Sequence, residues 1–355
     1  MSLVRRLVIL IIATLCAGCQ PASTRSDQGG SLTMIIRPDF ACQLPAGING
    51  HQVMIALPSG RVTAGPSSDR GIGTYAGGRW LHVFPMALAP DRGAYAFVVT
   101  TEGVPQAQRT GDLRVHIIAS GKEQQIWTGD GDVRPLAWTE NGIYLERDGS
   151  VWLVDPAAPA KAHRVGPNPV DNVRHSTGVF GWFGQSAAWV VSGSDRAVVG
   201  ANRPEFADQV DRLNLADGTL TTWFRAPAER WARILGLDAD GHPFLGLEEP
   251  PATVGDIAYP HEPDELLLLL TSPGQTMTIA GAGAGLRPRA ANTDSHGTWI
   301  TASGSLWLYR NGTVSRVANV PDSLYPALRR PVPSFPPGFA HGRAGTDLIL
   351  SGPCT

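Results

Sequence analysis

The chain has 355 residues, 43% of them hydrophobic and 17% charged, with a formal net charge of −2. That balance excludes a largely disordered chain, and it excludes a nucleic-acid binder, which needs a basic surface to displace counterions from phosphates. With 41 Gly and 29 Pro spread along it, the chain interrupts helices longer than a few turns. It favours short strands joined by turns, in two ordinary domains or one large all-β domain.

Residues 1–19 read MSLVRRLVILIIATLCAGC. Arg5 and Arg6 form a basic start, and residues 7–15 an apolar run too short to span a bilayer as a helix. Ala17 and Gly18 then precede Cys19. This resembles a bacterial lipoprotein signal, which is cut before a cysteine that becomes lipidated. Cys16 stands where that family usually carries Leu, and the alternative is an ordinary secretory signal cut nearby. The resemblance implies export and a membrane attachment through a lipid on Cys19, at the bacterial cell envelope on its periplasmic or extracellular side. Residues 20–46 read as a polar tether and lead-in that opens with QPASTRSDQGG (20–30). Residues 47–355 are expected to form a single domain.

Past the tether, apolar runs alternate with Gly-containing turns. Ser59-Gly60, Ser120-Gly121, Asp217-Gly218, Pro273-Gly274 and Asn311-Gly312 each follow one apolar run and precede another rich in Thr, Val, Ile or Trp. That is hairpin spacing, in which Gly supplies the positive φ of a tight turn. LVDPAAPAKAHRV (153–165) puts a Pro-rich turn in the same place. Two segments, RPLAWTENGIYLERDGSVWLVD (134–155) and RAANTDSHGTWITASGSLWLYR (289–310), align without a gap at an offset of 155. They share Arg134/Arg289, Gly142/Gly297, Gly149/Gly304, Ser150/Ser305, Trp152/Trp307 and Leu153/Leu308. A third copy opens at Arg233. The pattern predicts four-strand units over 84–127, 133–165, 176–224, 232–280 and 289–317, plus a split sixth. In the split unit, 338–352 would give a first and second strand and 50–65 a third and fourth. Cys354 would then end the second strand where Cys42 approaches the third.

This arrangement resembles a β-propeller. LAPDRGAYAFVV (88–99) is similar to a strand pair of bacterial TolB-type, WD-like propellers, and DGSVW (148–152) to their following turn and strand. The resemblance implies an all-β, six-bladed β-propeller closed by N- and C-terminal strands that share one blade. Seven blades result if LTMIIRP (32–38) pairs with a poorly marked partner. Closure brings Cys42 and Cys354 together in an oxidising compartment, and a bridge would close a loop of roughly 300 residues. The alternative is two unrelated thiols. Trp127, Trp152, Trp223 and Trp307 are expected to fill the wedges between blades. For Trp80 and Trp231, beside inter-blade connections, packing and ligand stacking stand as equal alternatives.

Motifs of chemistry are scarce. No HExxH, CxxC, P-loop or GxSxG occurs, so no metal, cofactor or catalytic residue is assigned. LDADGHPF with Glu249 mimics a calcium loop but has Pro243 where that loop needs Gly, so a hairpin is expected. NTDSHGTW (292–299) resembles the Asp box of sialidases, itself a structural turn. IAGAGAGLRPR (279–289) lacks the third Gly of a dinucleotide loop and reads as a link between blades. Arg134, Arg233 and Arg289, repeat-equivalent in three units, are expected near the channel mouth, where guanidiniums can fork onto a carboxylate, phosphate or sulfate. Against that, 27 of the 29 basic residues are Arg, so each can equally serve as an ordinary ion-pair partner.

Long links 100–112, 192–208 and 248–265, with the connections 66–80 and 319–337, fall on one face by the propeller resemblance. Loops on a rigid scaffold commonly carry recognition. Glu248, Glu249, Asp256, Tyr259 and His261 make the third link acidic and aromatic. The resulting expectation is an envelope-anchored, non-enzymatic binding propeller whose loop-rich face holds a protein, peptide or envelope-glycan partner. The alternative is a propeller hydrolase, lyase or cyclase acting on a small anion at the arginine-lined mouth. A scaffold for envelope protein assembly is a further alternative, by analogy alone.

Overall fold

The computed structural model describes residues 34–48, 51–65, 73–101, 103–105, 108–168, 181–192, 208–227, 230–248, 253–254, 257–258, 266–280, 286, 288–302, 304–320 and 348–355. The chain is an all-β propeller. Among the described residues, five four-stranded antiparallel sheets and one three-stranded sheet match the predicted units. We number them as blades in ring order.

The first blade runs Leu348–Leu350, Cys42–Ile48, His51–Leu57 and Arg61–Ala64. The second holds Ala94–Thr100, Thr110–Ile117 and Lys122–Asp130, its innermost strand reduced to a single bridge between Leu88 and Tyr95. The third comprises Val133–Thr139, Gly142–Arg147, Ser150–Val154 and His163–Pro167. The fourth comprises Trp182–Phe183, Ala187–Ser192, Gln209–Asn214 and Leu220–Arg225. The fifth has Trp231–Leu237, Pro243–Glu248, Leu266–Ser272 and Gln275–Ala280. The sixth has Pro288–Asp294, Gly297–Ala302, Ser305–Arg310 and Thr313–Asn319.

The repeat seen in sequence is a repeat of backbone conformation. Gly142 and Gly297 sit at φ +131° and +135°, and a Cβ at either would strike a carbonyl oxygen of the third strand, that of Val154 or Tyr309. Only Gly holds that conformation at that distance.

The apolar cores lie between blades, so neighbouring blades stabilise one another. Val133, Ile143 and Leu145 of the third blade pack with Ala96, Leu113 and Val115 of the second. Tyr144 and Val151 meet Ala188 and Leu213 of the fourth. Trp189 and Val210 meet Ile234 and Leu245 of the fifth. Phe244 and Leu269 meet Ile300 and Trp307 of the sixth. Trp299 and Leu308 meet Leu44, Ile48 and Ile55 of the first, which completes that side of the ring. Trp127, Trp152 and Trp223 pack against these cores, and Trp307 lies within one. Burying an indole removes roughly 200 Å² from water, about 5 kcal/mol by area.

Between the first and second blades stands a small hairpin, Thr74–Ala76 with Arg79–Leu81. The Tyr75 amide donates to Ser351 O (2.7 Å), Arg79 donates to Ile118 O, and Ala76 packs with Leu88 and Ile118. The connection 66–80, expected as a loop, therefore carries a wedge of structure.

Closure differs in detail from the expectation. The N-terminal segment supplies three strands of the shared blade, and the C-terminal segment one among the described residues. Cys42–Ile48 is the second strand, so the domain includes residues before 47 and the second strand is not drawn from 338–352. Pro45 and Gly47 gave this stretch the look of a loop, but the strand accommodates Pro45. Its carbonyl accepts from Ser351 N (3.0 Å), and Ser351 O accepts from Tyr75 N (2.7 Å). Beyond Leu350 the ladder continues through reciprocal Gln43–Thr355 bonds of 2.7 and 3.0 Å. The Cys42–Cys354 disulfide, with Cα atoms 5.6 Å apart, clasps the first strand's extension to the start of the second. Residue 35 of the segment LTMIIRP bridges in parallel to Arg316, and Ile36 N donates to Arg316 O (2.8 Å). Among the described residues, that segment lies along the outer edge of the sixth blade.

Candidate functional site

The three repeat-related arginines lie within the innermost strands, near their starts. Arg134 Nη2 contacts both oxygens of Glu146, at 2.9 and 2.7 Å. Glu146 is the residue opposite it on the adjacent strand. The glutamate side chain is only 10% exposed and the arginine 55%, so the cation neutralises an acid that would otherwise be buried unpaired. Arg233 donates Nη2 to Pro288 O (2.8 Å) and Nη1 to Arg289 O (3.2 Å), tying the fifth blade to the sixth. Arg289 sits at the shift in register between Pro288 and Ala290, and its carbonyl is one of those two acceptors. Arg134, half-exposed, is thus paired within its own blade, and Arg233 is bonded to the next one.

Gly236 explains why Arg233 can reach. A Cβ at Gly236 would lie 2.1 Å from Ala291 O, so only Gly permits the innermost strands of blades five and six to run this close.

Trp80 stacks edge-on to Tyr75 within the small hairpin, ring centroids 5.3 Å apart. Trp231 opens the innermost strand of the fifth blade and is 8% exposed. Trp80 is half-buried and Trp231 buried. Glu248 closes the strand Pro243–Glu248, its side chain lying outside the described residues. Glu249, Asp256, Tyr259, His261 and Cys19 also lie outside them. Within the third link, Thr253–Val254 pairs with Ile257–Ala258.

The opposite end of the ring, where first strands turn into second strands, holds a cluster that the sequence pattern did not single out. Asp294 ends the innermost strand of the sixth blade. Its Oδ2 accepts from Trp299 Nε1 (2.7 Å) and Cys354 N (2.8 Å), and its Oδ1 from His296 N (2.8 Å). One carboxylate thus organises the turn, fixes a fully buried indole and holds the C-terminal strand. The resemblance of NTDSHGTW to an Asp box was the available signal, and the segment is a turn. Phe40 from the lead-in stacks on His296 at 4.1 Å and lies under Arg310 at 5.7 Å.

Beside Asp294 opens a pocket of about 370 Å³, at the low end of small-molecule sites. The sixth blade contributes Asn292, Thr293 and Asp294, the turn 88–92 of the second blade Arg92 and Pro90, and the closing strand Pro353. Arg92 adopts φ +58° and donates Nη2 to Tyr75 O (2.6 Å). Burial lowers its pKa from the ordinary arginine value. Asn292 Nδ2 approaches Gly352 O at 3.4 Å.

On the fifth blade's turn, Asp238, Asp240 and His242 offer side-chain atoms within 4.8 Å of one another. Asp238 Oδ1 already accepts from the amides of Asp240 (3.0 Å) and His242 (2.7 Å). With Gly241 at φ +82°, this is the expected hairpin. Tyr309 is held above its usual pKa, by burial and then by the Asp238 charge.

No protein-family model and no curated protein matches the sequence. Several solved structures resemble it at low identity. An oligogalacturonate lyase in complex with manganese is 11% identical, covering 76% of this chain and 70% of its own, with a TM-score of 0.39. TolB from Acinetobacter baumannii is 11% identical over 78% of this chain and 65% of its own, at 0.34. The Pseudomonas aeruginosa periplasmic gluconolactonase PpgL is 14% identical over 78% and 82%, at 0.32.

Proposed function

We propose that this protein is an exported six-bladed propeller, held at the cell envelope by a lipid on Cys19, whose task is binding. Its loop-rich face recognises a protein, peptide or envelope glycan. The observation that carries this reading is the inequality of the two ends of the ring. Second-to-third strand links and blade-to-blade connections leave from one end, and these include residues 193–208, 249–265 and 320–347 between consecutive blade strands. At the other end the first-to-second strand links are short, as at 140–141, 238–242 and 295–296. Long connections on a rigid frame serve recognition more readily than stability.

The rival reading, a hydrolase, lyase or cyclase acting on a small anion at an arginine mouth, needs Arg134 and Arg233 available. Their bonds to Glu146 and to the sixth-blade carbonyls count against it.

The test is affinity capture from envelope extracts, comparing the full chain with a variant in which 249–265 is replaced by a short Gly-Ser turn. Loss of specific partners from the variant supports the reading. An identical partner set refutes the role given to this loop.

A further inference from the structure

The pocket beside Asp294 lies at the end of the ring away from the long links, so a ligand there would be independent of any partner on the loop-rich face. Its charge distribution is specific. Arg92 brings a guanidinium whose one described partner is a backbone carbonyl, Tyr75 O. Neighbouring Asp91 is turned to the Gly93 amide (2.8 Å). Asp294, the other charge in the lining, is engaged by three N–H donors at 2.7–2.8 Å. The pocket therefore holds a cation without an acid partner among the described residues, beside an acid that already accepts three N–H donors.

The rest of the lining sets Pro85, Leu88, Ala89, Pro90 and Pro353 beside the polar Asn292 and Thr293. Pro90 and Pro353 line it from two blades, together with the buried Leu88. Asn292, from the sixth blade, adds one carboxamide. Prolines lose little entropy when a ligand covers them, and they offer no N–H for the ligand to satisfy.

We propose that this pocket binds a small organic monocarboxylate, its head on Arg92 and its short apolar body against Pro90 and Pro353. A guanidinium matches a carboxylate through paired N–H donors. The fixed negative charge of Asp294 disfavours a second negative charge on the ligand, so phosphate and dicarboxylates fit less well. The site spans the first, second and sixth blades, hence a bound acid also braces the closure of the ring.

The experiment is calorimetric titration of the full chain with hexanoate, hexanamide and inorganic phosphate, repeated on Arg92→Gln. Expected are saturable hexanoate binding, hexanamide at least tenfold weaker, phosphate weaker than hexanoate, and a tenfold or greater loss for hexanoate in R92Q. A rise in the Tm of the wild type with hexanoate, and not with hexanamide, is the second expected readout. No saturable hexanoate binding, hexanamide within threefold of hexanoate, phosphate tighter than hexanoate, or an R92Q variant with wild-type affinity would each overturn the proposal. Should R92Q fail to fold, the acid-against-amide comparison on the wild type decides alone.

Discussion

Replacing Asp294 by Ala tests how the ring is held at its seam. The carboxylate accepts three hydrogen bonds at 2.7–2.8 Å. Two of the donors are shielded from water, since Trp299 is 0% exposed and Cys354 6%. A buried donor left without a partner costs about 1–3 kcal/mol, and bonds to a charged acceptor lie in the upper part of that range. The His296 amide sits in a turn that water reaches, so it adds less. The expected loss for D294A is therefore about 3–5 kcal/mol. With about 2.1 cal/mol/K of unfolding entropy per residue over some 300 ordered residues, that lowers Tm by roughly 5–8 °C. Asp294→Asn can place its carbonyl where Oδ2 stands and keep both buried bonds, so its expected loss is about 1–2 kcal/mol. The assay is equilibrium urea unfolding monitored by tryptophan fluorescence, with thermal melts alongside. A D294A variant within 1 kcal/mol of wild type, or a D294N variant no better than D294A, would refute the reasoning.

The double variant C42S/C354S releases a constraint spanning 312 residues of sequence. The chain-entropy relation sets the loss at about 5–6 kcal/mol, read as a lower unfolding midpoint under non-reducing conditions, with no change on adding reductant. Gly142→Ala and Gly297→Ala should each destabilise by about 3 kcal/mol or more, because φ near +130° and a carbonyl closer than 3 Å both oppose a Cβ. Gly312→Ala, at φ +75° with open space around it, should cost only about 1–2 kcal/mol in the same unfolding assay. Arg233→Gln should lose about 2 kcal/mol by removing two charged donors from sixth-blade carbonyls, whereas an arginine reserved for ligand would leave stability unchanged.

The fold was legible because its signals are local and repeated. Hairpin glycines and the 155-residue offset mark strands two to four of most blades, and Gly142 and Gly297 share both the offset and a φ found almost only in Gly. The split blade was harder. Pro45 and Gly47 weaken the strand pattern of CQLPAGI, which is a strand through its pairing with His51–Leu57 and with distant Leu348–Leu350. Asn49-Gly50, a strong hairpin dipeptide between Cys42–Ile48 and His51–Leu57, was the overlooked local signal. The arginines were legible as a repeat and illegible as to purpose. Whether a guanidinium meets Glu146, a neighbouring carbonyl or a ligand depends on blade packing, which sequence spacing does not encode. Arg92 and Asp294 belong to blades far apart in the chain, so their shared pocket exists only once the ring has closed.

Every contact at the seam depends on both ends of the chain meeting in one sheet. Proteolytic mapping of the oxidised, folded protein under non-reducing conditions tests this most directly. The account predicts one species in which the peptide containing Cys42 is joined to the peptide containing Cys354, separating on reduction. Recovery of those two cysteines as free thiols, or each bonded elsewhere, would contradict it.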